Sequence, residues 1–557
     1  MRVNKLVFKF GPSTARGPLS IQPGDAVVLV GPNSSGKSLA LREIENQIRG
    51  GTGEYVIVDE LRIEYPSDFE RFKNLIFDLN PLVQTNSEET YRVTNPSLRD
   101  NPDGTRSVSL TQLQTWYRKL VSDEDDKMIR LNYATLFTLR LDAETRLQLT
   151  KPQERGNIRK APENHLAKLL KNDSLRQEVR EACSKAFPDL YFVLDPTNGN
   201  SIRILMSKER PANDIEKSLT DAAIDFFDDA IPMNHLGDGV RAYVGIVSSI
   251  IAVGQRFTLI DDPEAFLHPP IARLLGRDLV SLAERRQGQV FVATHSADFL
   301  QGCLEASSHV NIVRLTYDRT TSAATARELD PTILENLMNN RLLRTTGVFR
   351  ALFHQGAVIV ESEEDKVVYD EINRRLLDEN RGVRDVVFLN AQNWQTTRIL
   401  AEPLRLLGIP AAIILDFDVL LETKEWSNIF KACHIDSRLD AHMNQVRASI
   451  KNESIKRGQL KKGGIDVLSQ TGEMARHLLE NLAEFGVFIV PYGELESWLR
   501  SLSIRGKGSK WVRNFFQSVG STNDSPSFVR PSDDDIWRFL DTIGSWMTNP
   551  ERKGIPQ

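Results

Sequence analysis

Cysteine is scarce in this chain: three in 557 residues, Cys183, Cys303 and Cys433, far apart and in no C-x-x-C spacing. That excludes a disulfide framework and a cysteine metal site, and it fits a reducing compartment. Long apolar runs are missing too. The longest notable uncharged run, Ala242 to Gln255, has 14 residues, short of the roughly 20 that cross a bilayer but suited to a buried core helix. Met1 to Leu6 has no signal-peptide layout. The expectation is a soluble cytoplasmic protein with no membrane partner. There is no excess of positive charge either: the net charge is −5 and the pI near 6.1. Any contact with nucleic acid must therefore come from a local basic surface. No internal repeat and no low-complexity tract is visible. What remains is ample for folding, since 40% of residues are hydrophobic and the length suggests about three or four domains.

The most specific stretch is near the start. An apolar run, Val27-Val28-Leu29-Val30, feeds into Gly31-Pro32-Asn33-Ser34-Ser35-Gly36-Lys37-Ser38, which satisfies the phosphate-loop pattern G-x-x-x-x-G-K-[ST]. A helical pattern follows, with Ala40, Leu41, Ile44 and Ile48 on one face. Backbone N–H groups from Gly31, Asn33, Ser34, Ser35 and Gly36 would cradle an anion at a helix N-terminus. Lys37 would reach the β/γ-phosphates of ATP and Ser38 would hold Mg2+. Around it, Leu6 to Phe10 and Leu19 to Gly24 read as a strand pair, and Tyr55 to Val58 as another short strand. The polar region holding Asn95, Pro96, Asn101, Pro102 and Gly104 carries little structural signal, and Met128 to Leu149 recovers alternation. Asn164 to Phe187 reads as an amphipathic helix, and Leu190–Leu194 with Ile202–Met206 as a strand pair across Asn198-Gly199.

More than 200 residues later, Phe257-Thr258-Leu259-Ile260 ends in Asp261-Asp262-Pro263-Glu264, a Walker B pattern. Asp261 would bind Mg2+ through water and Asp262 would orient the attacking water. Upstream, Leu236-Gly237-Asp238-Gly239 marks a helix start; downstream, the strand Val290 to Ala293 runs into Thr294-His295. This order resembles the ABC-type ATPase family, in the branch of structural-maintenance and recombination-repair ATPases, over residues 1 to about 335. The resemblance implies that Gly237, Asp238 and Gly239 form the signature that pins the γ-phosphate of a second subunit, and that His295 is the switch histidine. It therefore implies a homo-oligomer, at least a dimer. The usual signature serine is replaced here, and Asp262 stands where a Glu is usual; a carboxylate one methylene shorter implies slow hydrolysis.

A second candidate site follows Phe349. The strand Gly356 to Val360 ends at Glu361-Ser362-Glu363-Glu364-Asp365-Lys366, and Pro410 to Leu415 ends at Asp416-Phe417-Asp418, with strand Val386 to Leu389 and a helix between. Alternating β and α elements predict a parallel sheet whose tips share one edge, so that Glu361, Asp416 and Asp418 converge. Three acids without a paired base suit a hard cation, Mg2+ or Mn2+. The pattern resembles the Toprim domain of topoisomerases, primases and a nuclease family, with Gly486 to Pro491 as closing strand and Glu494 and Glu496 as the last acidic motif. Asp365, Glu494 and Glu496 then join the candidate metal ligands. Ser362 takes the place of the usual glycine.

Taken together, the two halves resemble the OLD (overcoming lysogenization defect) nuclease family, over residues 1 to about 500. The resemblance implies an α/β protein: an ABC-type P-loop ATPase domain, residues 1–335, with a partly helical insertion at about 60–230. A Toprim nuclease domain follows at 350–500, with an insertion at about 420–485 and a C-terminal extension at 501–557. It also implies an ATP-regulated, metal-dependent endonuclease, some relatives acting in anti-phage defence, with DNA as substrate and room for a partner protein encoded nearby. Residues 443 to 462 carry Arg447, Lys451, Lys456, Arg457, Lys461 and Lys462 against the single acid Glu453. Related nucleases use a lysine near the end of such an insert, so Lys461 and Lys462 are candidates for cleavage. A second cluster, Arg505, Lys507, Lys510 and Arg513 around Trp511, could hold phosphates with a base stacked on the indole. The rival reading is an ATP-driven sensor or scaffold that binds nucleic acid without cutting, or a cutter of RNA. The motor of a membrane transporter fits less well, because it has no use for the carboxylate domain.

Overall fold

The computed structural model describes residues 1–13, 16–79, 90–94, 105–122, 134, 137–157, 159, 162, 164–212, 214–307, 309–318, 323–340, 347–453, 455–520 and 528–556. The stretch with Asn95, Pro96, Asn101, Pro102 and Gly104, and residues 128–133 of the alternating run, lie outside them. The chain divides into two compact units, one taking nearly all of residues 1–331 and the other Thr332–Gln557. It is a mixed α/β protein with parallel sheets.

In the first unit, β1 (Ala26–Val30) is buried along its whole length and leads through the phosphate loop into α1 (Lys37–Ile48). Strand β2 (Thr138–Leu141) is followed by the short helix α2 (Ala143–Gln148), capped by the Asp142 carboxylate, which accepts from the backbone N–H groups of Glu144 and Thr145. Helix α3 (Asp238–Val253) is buried from Ala242 to Val253, as its uncharged composition predicts. Strands β3 (Phe257–Asp261), β4 (Gln289–Ala293), β5 (Val310–Asp318) and β6 (Ala323–Glu328) complete a six-stranded sheet in the order β6-β5-β1-β4-β3-β2. All neighbours are parallel except β5 with β6. Ala293 lies opposite both Leu29 and Asp261, so the phosphate loop, the Walker B acids and His295 emerge at one edge. Leu29, Leu41, Ile44, Phe257 and Phe291 share the core that fixes this edge.

Three expectations shift in register. The run Tyr55 to Val58 is not itself a strand: the strand is Val58–Glu64, and the N–H groups of Val56, Ile57 and Val58 donate to the buried Glu43 carboxylate at 2.7, 2.9 and 2.8 Å. The alternation of Met128 to Leu149 gives way to helix after Leu141, because Asp142 supplies a cap. The single helix expected over Asn164 to Phe187 is two, His165–Lys171 and Asp173–Ala186; Asn172 leaves the helical region and caps the second by accepting from Leu175 N–H.

In the second unit, β7 (Gly356–Val360), β8 (Val386–Asn390), β9 (Ala411–Leu415) and β10 (Val487–Ile489) form a parallel sheet in the order β8-β7-β9-β10. Helix α4 (Glu363–Asp378) follows β7, and α5 (Arg457–Gly463) lies in the segment between β9 and β10. The residues after 500 pack into the same core. Trp511, Phe515 and Val519 of α6 (Ser509–Val519), with Ile536, Trp537 and Leu540, join Val358, Val360, Tyr369 and Trp498. Trp511 is 1% exposed and stacks on Phe515 at 5.5 Å. It is therefore a core residue and not the base platform expected from its basic neighbours.

Candidate functional site

At the edge of the first sheet, Gly36 ends the loop with φ of 93°, and a Cβ there would meet Ile57 Cδ1 at 2.4 Å. The positive φ and this close approach favour glycine here. Lys37, 4% exposed, opens α1. The Ser35 hydroxyl oxygen is buried with no hydrogen-bond partner among the described residues, a polar demand that a phosphate oxygen would meet. Ser38 Oγ donates to Asp261 Oδ1 at 3.0 Å, so the two groups expected to share a magnesium ion are already side by side. The residues fit a nucleotide with its cation.

Asp262 follows with a left-handed backbone, φ 46°, and its carboxylate stands 3.8 Å from His295 Nε2. Burial raises the Asp262 pKa, while His295 pulls it down. Sequence reasoning missed three side chains here. Glu264 accepts from Thr294 Oγ1 at 2.8 Å and from His295 N–H at 2.6 Å, which holds the turn carrying His295, and burial raises its pKa. Arg140 on β2 brings NH2 to 3.4 Å from Asp261 Oδ2, and Arg146 on α2 donates to the Asp262 carbonyl at 2.7 Å. Glu264 completes the Asp-Asp-Pro-Glu run and could have been read there; no local signal marked the arginines. Gly237 precedes the first turn of α3, where Asp238 pairs with Arg241 at 2.7 Å, and a Cβ on Gly239 would lie 2.7 Å from the Phe266 carbonyl oxygen.

At the edge of the second sheet two of the three predicted acids, Glu361 and Asp416, meet. Glu361 ends β7 and Asp416 ends β9, and Asp416 N–H donates to Glu361 Oε1 at 2.9 Å. Burial, then repulsion from Asp365 and Asp418, pushes Glu361 up to about 7 against the pull of the Asp416 N–H, and burial, then repulsion from Glu361 and Asp365, pushes Asp416 well above the carboxylate range. Asp365 accepts from Ser362 N–H and Oγ at 2.9 and 2.8 Å, and burial raises it to about 6. Ser362 thus forms a capping box with Asp365 at the start of α4. Asp418 is paired with Arg457 at 2.8 Å. Lys461 Nζ lies 3.5 Å from Asp416 and 3.6 Å from Glu494. Burial disfavours its charge, but Asp416, Asp418, Glu494 and Glu361 outweigh that and raise its pKa.

Of the two adjacent lysines, Lys461 reaches the acids, whereas Lys462 offers its carbonyl to Ser497 Oγ at 3.2 Å. Lys507, from the C-terminal segment, stands 3.6 Å from Glu494, and Glu496 accepts from Gly508 N–H at 2.9 Å. Arg447 is no phosphate ligand: it is 7% exposed and donates from Nε to the Leu420 carbonyl. Among the described residues no group of three or more His, Cys, Asp or Glu is arranged to hold a metal ion; Arg457 and Lys461 stand among the acids instead. Half-buried carboxylates pushed toward neutrality at strand tips nevertheless suit a divalent cation that would offset their repulsion.

Residues 26–300 match a family model described as "AAA domain, putative AbiEii toxin, Type IV TA system". Over 196 residues the chain is 25% identical to an OLD nuclease of Thermus scotoductus, a match covering 34% of this chain and 37% of that protein. Over 74 residues it is 32% identical to an ATP/GTP phosphatase of Helicobacter pylori, covering 13% of this chain and 20% of that one. The matches therefore span well under half of either relative. Among solved structures, an SMC head domain from Thermotoga maritima aligns with 59% of this chain and all of that one, at a TM-score of 0.30 and 14% identity. No helix among the described residues is long and apolar enough to cross a membrane.

Proposed function

We propose that this OLD-family ATPase is an ATP-regulated, metal-dependent endonuclease acting on DNA, whose second unit is a Toprim-type cutting centre. The observation that carries the reading is the junction of Glu361 and Asp416, two half-buried acids tied through a backbone hydrogen bond at neighbouring parallel strand tips. In the ATPase half, Mg2+ held through Ser38 and Asp261 would neutralise charge on the β/γ-phosphates. Gly31, Asn33, Ser34, Ser35, Gly36 and Lys37 cradle the phosphates and Asp262 orients water. Glu264 and His295 hold the turn beside it. Gly237, Asp238 and Gly239 reach the nucleotide of a second subunit, so hydrolysis requires a dimer.

In the cutting half, Mg2+ or Mn2+ held by Glu361, Asp416 and Asp418, with Asp365, Glu494 and Glu496 around them, would activate water and stabilise the leaving oxygen. Lys461 and Lys507, which converge on Glu494 from different segments, supply positive charge to the scissile phosphate. Incubating the pure protein with supercoiled plasmid and Mg2+ or Mn2+ should give nicked and linear DNA. No cutting under any nucleotide condition would favour the second reading, a nucleic-acid-binding ATPase that does not cleave, which the pairing of Asp418 with Arg457 supports.

The pH dependence follows from the raised carboxylates. Glu361, with a folded pKa of about 7 against a usual 4.5, binds its proton more tightly when folded. Its contribution to stability is full below about pH 4.5 and is lost as the pH rises through about 7. A divalent cation needs the ionised form, so binding it must displace that proton. The rise in melting temperature on adding Mn2+ should therefore be larger at pH 8 than at pH 6, and Glu361→Gln should shrink the difference, leaving the part due to Asp416. An equal rise at both pH values would place the cation elsewhere.

Local charge should govern DNA binding, because at physiological salt the Debye length is about 8 Å and the net charge of −5 is screened. Replacing Lys456, Arg457, Lys461 and Lys462 together by Gln should lower the salt slope of log K by about two to four units, at about 0.9 per lost phosphate contact on duplex DNA. Affinity should fall similarly across sequences. An unchanged slope would mark α5 as a solvated face and turn attention to Arg505, Lys507, Lys510 and Arg513.

A further inference from the structure

Arg146 is fully buried, yet only one of its guanidinium nitrogens is spoken for: NH1 donates to the Asp262 carbonyl at 2.7 Å, while Nε and NH2 are buried without a hydrogen-bond partner among the described residues. Burying a guanidinium with unmade hydrogen bonds is costly, and such groups persist where function requires them. The opposite charges that support it are, in order, Glu264, Asp262, Asp142 and Asp261, three of which belong to the Walker B turn. The backbone it holds is strained, since Asp262 has φ of 46°, and the Asp262 N–H is fixed from the other side by the Ala293 carbonyl at 2.9 Å.

The main chain of Arg146 is fixed in turn. A Cβ on Gly245 would lie 2.1 Å from the Arg146 carbonyl oxygen, so α3 touches α2 through backbone at this point. The same helix carries Gly239 in its first turn against the Phe266 carbonyl. Helix α3, which Gly237 precedes as N-cap, is thus packed through backbone against the residue that grips the Asp262 backbone.

We propose that Arg146 is a positioning residue for ATP hydrolysis, linking the placement of α3 to the orientation of Asp262. This rests on the reading of Asp262 as the carboxylate that orients water. A movement of α3, whose N-terminus would meet the nucleotide of a second subunit, shifts the Arg146 main chain, and the guanidinium carries the shift to the Asp262 carbonyl. Arg140, on the neighbouring strand, bears on Asp261 instead and is not part of this link.

The test is a double-mutant cycle on the full-length protein. Asp262→Asn alone should remove most hydrolysis while leaving ATP affinity intact; if it does not, the reading of Asp262 fails, whatever Arg146 does. Given that result, Arg146→Met should lower kcat by about 10²-fold, the cost of a misplacement near 1 Å, with KM and ATP affinity within threefold of wild type. Arg146→Lys, which keeps a donor but loses the planar fork, should recover part of kcat. In the Asp262→Asn background, Arg146→Met should change hydrolysis less than twofold, because the two act through one group. Full additivity, or a loss of ATP affinity in parallel with kcat, would overturn the proposal. If the Met variant does not fold, the same split between kcat and KM in the Lys variant decides it.

Discussion

Asp416→Ala should cut DNA cleavage by about 10³-fold and leave ATP binding and hydrolysis unchanged. Removing a cation ligand takes away water activation and charge neutralisation together, and about 4 kcal/mol of lost transition-state stabilisation is about 10³-fold in rate. The same should hold for Glu361→Ala and Asp418→Ala. Stability supplies a control. Burial and the neighbouring Glu361 and Asp365 push the Asp416 pKa well up, so its charged form is disfavoured in the folded state. Deleting it relieves repulsion, and the melting temperature at pH 8 should hold or rise, as happens when a functional site stores unfavourable charge. Gel assays on all three variants decide the matter; wild-type cutting by each would mean that another site, or a contaminant, does the work.

Lys37→Ala and Asp262→Asn should separate binding from hydrolysis. Lys37 is buried at the phosphate loop, and without its charge nucleotide affinity should fall below detection in a titration with a fluorescent ATP analogue. Asp262→Asn should keep that affinity and lose hydrolysis by about 10²-fold or more. Asparagine is preferred to alanine here because it tolerates a φ of 46° far better. The proposed dimer has a kinetic signature: specific activity should rise with protein concentration below the dimer dissociation constant. A monomer that hydrolyses ATP at constant specific activity would refute the role given to Gly237, Asp238 and Gly239.

The parts of these sites that could be read from the chain are those written contiguously. The phosphate loop needs eight neighbouring residues and a strand and helix on either side, and all are local. Glu361 and Asp416 were legible because each ends an apolar run, and parallel strands put their tips on one edge. What stayed hidden depends on contacts distant in sequence. Arg140 and Arg146 precede Asp261 by more than a hundred residues, and nothing local distinguishes them from solvated arginines. Lys507 lies beyond the last acidic motif and meets Glu494 only through the packing of the C-terminal segment. The misreading of Trp511 had a signal that was available: Trp511, Phe515 and Val519 recur at helical spacing, which argues for burial more strongly than the flanking charges argue for exposure. Asn172 offered a similar clue, since asparagine within a helical run favours a cap.

Behind the acids of the second unit, Trp498 Nε1 donates to the Tyr369 hydroxyl at 3.0 Å, both side chains being about 1% exposed. Burial, and then the field of Asp365, Asp416 and Glu361, drives the Tyr369 pKa well above the usual value. The indole is therefore hydrogen-bonded to a hydroxyl that lies in the field of the carboxylate cluster. Indole emission responds to local field, so neutralising those acids, by protons or by a divalent cation, should change the colour and yield of Trp498 fluorescence. The protein carries its own optical probe of the carboxylate cluster, readable without DNA and isolated by comparison with Trp498→Phe.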